Sequence, residues 1–313
     1  MMKSKKGRPR YSISQSPFYR LKSIHTLAKL LDVNVDRLSP NDPLFSMYRE
    51  GEIVKTNGKI RPTETPVGAL RIVHERILKL FKRIDIPDFV HSVKGKSYIT
   101  NAAQHIGNAQ TYCLDIEQFF RSTRRHHVFD FFRNYMRCAS DVAGILASLC
   151  TVENYLPTGS PISTLLSYFI HKETFDTLNN IAGEQNITMT LYVDDLTFSS
   201  RSVPYGFRKR VQNIIRGRGL RYHKQRKFFQ GSPREITGVI VHRSGLTVPK
   251  RRHLAAYNET VALWNAGSID DREGHFKRAL SRLSEGAQIE ERMKRRKNAL
   301  KAAKLQIFRA VST

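Results

Sequence analysis

The stretch LYVDDLTFSS, residues 191–200, sets two apolar, β-branched and aromatic runs on either side of two adjacent aspartates. Such runs around a tight polar turn predict a β-hairpin. The turn nevertheless lacks the Gly or Asn that usually eases the bend. Neighbouring carboxylates repel each other, and a chain tolerates that chiefly where a cation or a partner binds. The hairpin therefore demands an antiparallel pair with an acidic tip, and the tip asks for a metal.

The rest of the chain supplies a setting for that hairpin. FYRLKSIHTLAKLLDV places Leu21, Ile24, Ala28 and Leu31 on one helical face, and VGALRIVHERILKLFKRI does the same with Leu70, Val73, Ile77 and Leu80 or Phe81. Between them, GEIVKTNGKIRPTETP carries Asn-Gly between two short alternating runs, which predicts a hairpin. TYCLDIEQFF, residues 111–120, reads as a strand ending in a carboxylate and running into a helix. LPTGSPIS is a Pro and Gly loop opening an apolar helix over about residues 164–181. Beyond the acidic hairpin come the helix YGFRKRVQNIIRG, the basic stretch GLRYHKQRKFF, and a hairpin around RSG in REITGVIVHRSGLTVP. From Lys250 onward the pattern is helical, with Asp270 and Asp271 suited to a helix start. Leu254, Tyr257, Val261 and Trp264 have helical spacing and are expected in a core. Strands and helices alternate without a repeat, so an α+β fold with a mixed sheet is expected.

Charge narrows the partners. The 313 residues contain 53 Lys and Arg against 27 Asp and Glu, a formal net charge of +26, which points to a polyanion and first of all to nucleic acid. Residues 201–313 hold 27 basic and 8 acidic side chains, so the second half carries +19 of that excess. No run of 18 apolar residues is present, and no apolar segment follows the basic start MMKSKKGRPR, so a soluble, unexported protein is expected. Cys113, Cys138 and Cys150 are too few and too irregularly spaced for a disulfide framework or a zinc site.

Asp115 ends one strand, and Asp194 and Asp195 tip a hairpin. If those strands are neighbours, the three carboxylates form a site for two Mg²⁺ ions, which in phosphoryl transfer activate an attacking hydroxyl and stabilise a leaving oxygen. The ordered set of CLDIEQFF, LPTGSPIS and YVDD resembles the reverse transcriptases, over about residues 59–248. NAAQH, residues 101–105, and ITG, residues 236–238, are similar to the Asn-Ala-x-x-His and Val-Thr-Gly patterns of the bacterial retron enzymes.

That resemblance implies a right-hand polymerase: an N-terminal arm and fingers over 1–105, a mixed-sheet palm over 106–248 and a basic α-helical thumb over 249–313. It makes Asp115, Asp194 and Asp195 the catalytic, metal-binding carboxylates, with the Ile116 carbonyl a further ligand for two Mg²⁺ ions that Mn²⁺ can replace. Lys59, Arg61, Arg71, Phe120, Thr158 and Gly159 become nucleotide-binding residues, Phe120 excluding a 2′-hydroxyl. Asn101, His105, Arg251, Arg252, Lys294, Arg295, Arg296 and Lys297 become RNA-binding. The general acid for pyrophosphate stays open among His223, Lys224, Arg226 and Lys227, because HKQRK departs from the family's Asn-x-x-Lys-Thr. Thr158 stands where Gln is usual, and Ser160 where Ala is commoner.

The implied partners are deoxynucleotides, a cognate structured non-coding RNA that is both template and 2′-hydroxyl primer, its branched cDNA product, and an effector protein in anti-phage defence in the bacterial cytoplasm, with no membrane. The competing readings are a group II intron-like or diversity-generating reverse transcriptase, and a non-catalytic RNA-binding scaffold.

Overall fold

The computed structural model describes residues 9–54, 58–229 and 231–309; the basic residues 1–8 lie outside it. The first helix, α1 (Ile24–Leu31), starts at a Ser23 cap and buries Leu27, Ala28 and Leu31. Strands β1 (Tyr48–Val54) and β2 (Ile60–Pro66) pair antiparallel from Tyr48 opposite Pro66 to Val54 opposite Ile60, while the Asn of the expected Asn-Gly turn lies outside the described residues. Helix α2 (Gly68–Phe81) buries Leu70, Val73, Ile77 and Phe81, the face its periodicity predicts, together with His74.

A short helix, α3 (Tyr98–Ala103), precedes strand β3 (Gln110–Ile116). Helices α4 (Phe119–Ser122), α5 (Arg125–Asp130), α6 (Ser140–Cys150), α7 (Ser163–Ile170) and α8 (Lys172–Gly183) then follow and share one hydrophobic core with β3; the single helix expected near 164–181 breaks at His171. Strands β4 (Thr188–Tyr192) and β5 (Asp195–Ser200), helix α9 (Tyr205–Gly217) and strand β6 (Tyr222–Phe228) complete the unit.

The sheet order is β4-β5-β3-β6, with every neighbouring pair antiparallel. Each helical crossover thus returns the chain one strand beyond its neighbour, a split β-α-β arrangement. The expected mixed sheet is corrected accordingly: among the described residues parallel pairing is confined to two isolated bridges, Tyr11 with Ile84 away from this sheet and Val90 with Leu191 at the β4 edge. The α+β class holds.

Strand alternation gives β3 two faces. Tyr112, Leu114 and Ile116 enter a main hydrophobic core that runs from Phe18 to Leu220, across both the N-terminal hairpin region and the sheet. Cys113 enters a small second core with Ala102, Ile236, Val239 and Val241. That second core lies beneath a three-stranded sheet of β7 (Arg234–Ile236), β8 (Val239–Val241) and β9 (Leu246–Thr247). A third core is made by helices α10 (Lys250–Asn265), α11 (Ile269–Gly286), α12 (Glu291–Ala302) and α13 (Lys304–Arg309).

The expectation for the stripe on α10 is corrected. Leu254, Tyr257, Val261 and Trp264 are 38–58% exposed, whereas Ala256 and Leu263 face the core. No described helix is long and apolar enough to cross a membrane.

Candidate active site

The register of β3 on β5 sets Asp115 opposite Asp195, and the Ile116 N–H donates to the Asp194 carbonyl at 3.0 Å. Because Tyr192 pairs with Asp195, the β4–β5 turn contains only Val193 and Asp194. Val193 takes φ +60°, a left-handed conformation that a β-branched residue adopts under strain. Asp115 and the adjacent Asp194 and Asp195, 79 and 80 positions further along the chain, are therefore brought to one end of the central strand pair.

Their electrostatics reflect crowding. Burial raises the pKa of Asp194, and the Asp115 charge adds to it; burial, Asp194 and then Asp115 push Asp195 up to about 7. From β6, the Lys224 Nζ donates to Asp115 Oδ2 at 2.7 Å and His223 Nε2 lies 3.5 Å from the same oxygen. His223 Nδ1 is buried with no partner among the described residues. Of the basic residues left open in HKQRK, Lys224 and His223 thus reach Asp115 directly, while the charges of Arg226 and Lys224 favour the ionised form of Asp195.

A cleft of about 330 Å³ lies over this end of the sheet and is lined by Arg61, Asp115, Ile116, Phe120, Thr158 and Asp194, among others. Arg61 is exposed on β2 and its charge favours the ionised form of Asp194. Phe120 is half-buried, its ring 6.1 Å from that of core Phe119. Lys59 and Arg71 do not line the cleft; Arg71 pairs with Glu75 at 3.0 Å on the exposed side of α2. Gly159 sits just behind it, where a Cβ would stand 2.3 Å from Thr65 Oγ1 and 2.9 Å from the Glu64 carbonyl oxygen, so only glycine permits this approach.

The chain holds that loop with residues that sequence reasoning missed. Glu64, 7% exposed, accepts from Arg121 Nη2 at 2.8 Å and from the Thr158 N–H at 3.1 Å, with the Tyr155 hydroxyl at 3.2 Å. The Gly159 N–H donates to the Glu64 carbonyl at 3.1 Å. Burial pushes the Glu64 pKa up, but the bonds from Thr158, Arg121 and Tyr155 outweigh it and leave it below the usual carboxylate range. Ser160 bonds His74 Nδ1 at 2.7 Å, while His74 Nε2 donates to the Leu149 carbonyl at 2.7 Å. The only signal in the sequence was a Glu in an exposed-looking hairpin strand.

The expected RNA contacts divide. Asn101 and His105, expected to bind RNA, are fully buried in this fold. His105 bridges Ser199 Oγ at 2.6 Å and Thr190 Oγ1 at 2.8 Å, and Asn101 Nδ2 donates to Thr237 Oγ1 at 3.4 Å. The two motifs NAAQH and ITG are therefore one internal clip between α3, the sheet and the β7–β8 turn. Arg251 is paired with Glu235, and Arg252 with Glu285 at 3.3 Å while stacking over Tyr98. Lys294 and Arg295 are exposed on α12, Lys294 beside Glu291 at 3.3 Å; Arg296 and Lys297 are half-buried.

Among the described residues, no group of three His, Cys, Asp or Glu side chains is gathered closely enough to cage a metal ion. The donors still fit a hard cation in kind: all three side chains offer carboxylate oxygens, and Asp194 and Asp195 are raised by burial and by neighbouring negative charge that a cation would offset. Mg²⁺ commonly takes one or two protein carboxylates and completes its shell with water and substrate phosphate.

No family model matches the chain. Curated proteins do. It is 30% identical to the retron Se72 reverse transcriptase of Salmonella heidelberg (strain 579083-10) over 182 residues, 57% of this chain and 48% of that one. It is 28% identical to the retron Ec86 reverse transcriptase of Escherichia coli over 248 residues, 74% of this chain and 75% of that one. The retron Mx162 reverse transcriptase of Myxococcus xanthus is 26% identical over 274 residues, 74% of this chain and 56% of that one. The match thus spans about half the length of the first relative and three quarters of the second. By these matches, the chain's relatives are the retron reverse transcriptases.

Proposed function

We propose that the chain is a retron-type reverse transcriptase, an RNA-directed DNA polymerase. The observation that carries this reading is Asp115 facing Asp195 across β3 and β5, with Asp194 in the adjoining turn, at the floor of a cleft that also contains Arg61 and Phe120. In this reading residues up to about 105 act as fingers, 106–248 as palm and 249–313 as thumb.

Two Mg²⁺ ions held by Asp115, Asp194, Asp195 and the Ile116 carbonyl would supply activation of the primer hydroxyl and stabilisation of the pyrophosphate oxygen. Asp195 and Asp194, pushed toward their neutral forms by burial and by each other, gain most from counter-charge. Arg61 faces the incoming triphosphate across the cleft from Lys224, where positive charge offsets charge developing on the phosphates. Phe120 lies under the sugar and disfavours a 2′-hydroxyl by contact. The Glu64 bonds to Thr158 and Gly159 hold the loop that forms the opposite wall. The template and 2′-hydroxyl primer are one structured RNA, the product is a branched RNA-DNA, and an effector protein acts on the outcome in defence against phage.

The test is primer extension with deoxynucleotides on an RNA template. Replacing Asp194→Asn together with Asp195→Asn lowers synthesis by at least about a thousandfold, while RNA binding persists. Full synthesis by the double variant rejects the assignment.

A further inference from the structure

At the end of the sheet remote from Asp115 lies a second cleft, of about 610 Å³ and larger than the first. The five residue steps of β3 between Gln110 and Asp115 separate the two by about 17 Å. Its walls come from the loop before β3, Arg201 just after β5, residues 229 and 231–234, and the end of β8. Arg201, Arg234, His242 and Arg243 line it, and among the described residues no Asp or Glu does.

Arg234 is the informative member. It is 4% exposed, and among the described residues no carboxylate lies within ion-pair distance of it. Its Nη1 donates to the Asn108 carbonyl and to Thr111 Oγ1 at 3.3 Å, both uncharged acceptors. Burial alone lowers its pKa. A guanidinium buried without a counter-charge is costly, and chains that keep one usually meet it with an anion. Arg201 and Arg243 are exposed on either side, so three cations converge on one opening. Phe229, 59% exposed at the rim beside Ser232, presents a ring that no core claims. Charge without acid, plus one free aromatic face, is the arrangement that grips a phosphodiester backbone while stacking an unpaired base.

We propose that this cleft is a second nucleic-acid site, which holds a single-stranded segment with its phosphates on Arg201, Arg234 and Arg243 and one base on Phe229. The proposal rests on the reading of the chain as a nucleic-acid polymerase. The strand is either RNA flanking the copied region or the emerging DNA; both offer the same phosphates and an unstacked base.

The experiment compares the full chain with Arg201→Gln plus Arg243→Gln, and separately with Phe229→Leu, in binding a fluorescent oligouridylate and the matching oligothymidylate over a salt series. Arg234 is left intact because its bonds to Asn108 and Thr111 hold the loop; thermal melts of both variants establish that they fold. The double arginine variant is expected to bind about tenfold more weakly, with the salt slope reduced by about 1.4, or ~0.7 for each lost phosphate contact on a single strand. Phe229→Leu is expected to weaken binding roughly tenfold at an unchanged slope. Preference for the uridylate identifies the RNA strand, and equal or better binding of the thymidylate identifies the DNA strand. Folded variants that match the wild type in affinity and slope on both probes overturn the proposal. Primer extension by the wild-type chain is read in parallel: failure there with the cleft's slope intact rejects the polymerase reading and retains the strand site.

Discussion

Val193 answers how two aspartates sit in a turn without glycine. Its φ of +60° is the conformation that glycine supplies freely, and a non-glycine residue there costs on the order of 1–2 kcal/mol. The neighbouring Asp194 and Asp195 are thereby held at the tip rather than relaxed away from each other. Val193→Gly is expected to raise unfolding stability by about 1 kcal/mol, read from urea midpoints; a loss of stability would show that the valine side chain contributes more by packing than it costs in strain. Buried histidines give a second residue-scale prediction. Burial, then the charges of His91 and Arg234, lowers the His105 pKa to about 3, and burial lowers that of His74 to about 4. An unfolded histidine titrates near ~6.5. As pH falls below that value the unfolded chain takes up protons that the folded chain refuses, so stability is present above ~6.5 and declines toward the folded pKa. His105→Gln should flatten the dependence of stability on pH between pH ~6 and ~5 by about 1 kcal/mol per unit. Comparison of slopes separates this from any general loss of stability, and an unchanged slope would refute the buried neutral His105.

At the scale of elements, what repeats locally was legible and what closes over long separations was not. The α2 face, the Asn-Gly hairpin and the acidic hairpin follow from periods of 3.6 and 2 within a dozen residues. The pairing of Asp115 with Asp195 was expected only on condition that the strands were neighbours, since strand order is set by crossovers that leave no local pattern. The antiparallel direction of the whole sheet was missed for the same reason. The α10 stripe misled because Ala256 and Leu263, on another face, do the packing, so the larger side chains stay outside. Glu64 left no periodic mark at all: its bonds reach residues 57 to 94 positions away. This carboxylate couples β2 to the 157–160 loop, which predicts a local opening. In Glu64→Gln an amide replaces an acceptor-only carboxylate facing the Arg121 guanidinium and the Thr158 N–H, a loss of roughly 1.5–3 kcal/mol for a charge-assisted pair. The Thr158 and Gly159 amides should then exchange hydrogen about 10- to 100-fold faster, with β3 amides unaffected. Exchange equal to wild type would mean that backbone packing, not Glu64, holds the loop.

At the scale of the molecule, the three hydrophobic cores differ in how they are joined. The main core carries residues from Phe18 to Leu220, whereas the C-terminal helices own a separate core from Val248 to Ile307. Between them lie the small core around Ile236, against which Ile289 of the C-terminal unit also packs, and a set of polar links: Tyr98 to Glu285 at 2.9 Å, Arg252 to Glu285, and Arg251 to Glu235. Exposed ion pairs of this kind contribute little each, and the apolar joint rests on the partly buried Ile289, so the helical unit has limited coupling to the rest. Residues 249–313 also carry 15 Lys and Arg against 7 Asp and Glu, and that excess repels itself within a small volume. The C-terminal unit should therefore open first and alone. Trp264, the chain's single tryptophan, lies in α10 and reports on that unit, while far-ultraviolet circular dichroism reports on the whole. In urea the Trp264 fluorescence transition is expected to precede the dichroism midpoint, and added NaCl should move it toward higher urea as screening shortens from about 10 Å at 0.1 M to about 3 Å at 1 M. A nucleic-acid strand neutralising the same charge should have the salt's effect at far lower concentration. Coincident, salt-independent transitions would show that the polar joint couples the two cores into one cooperative body.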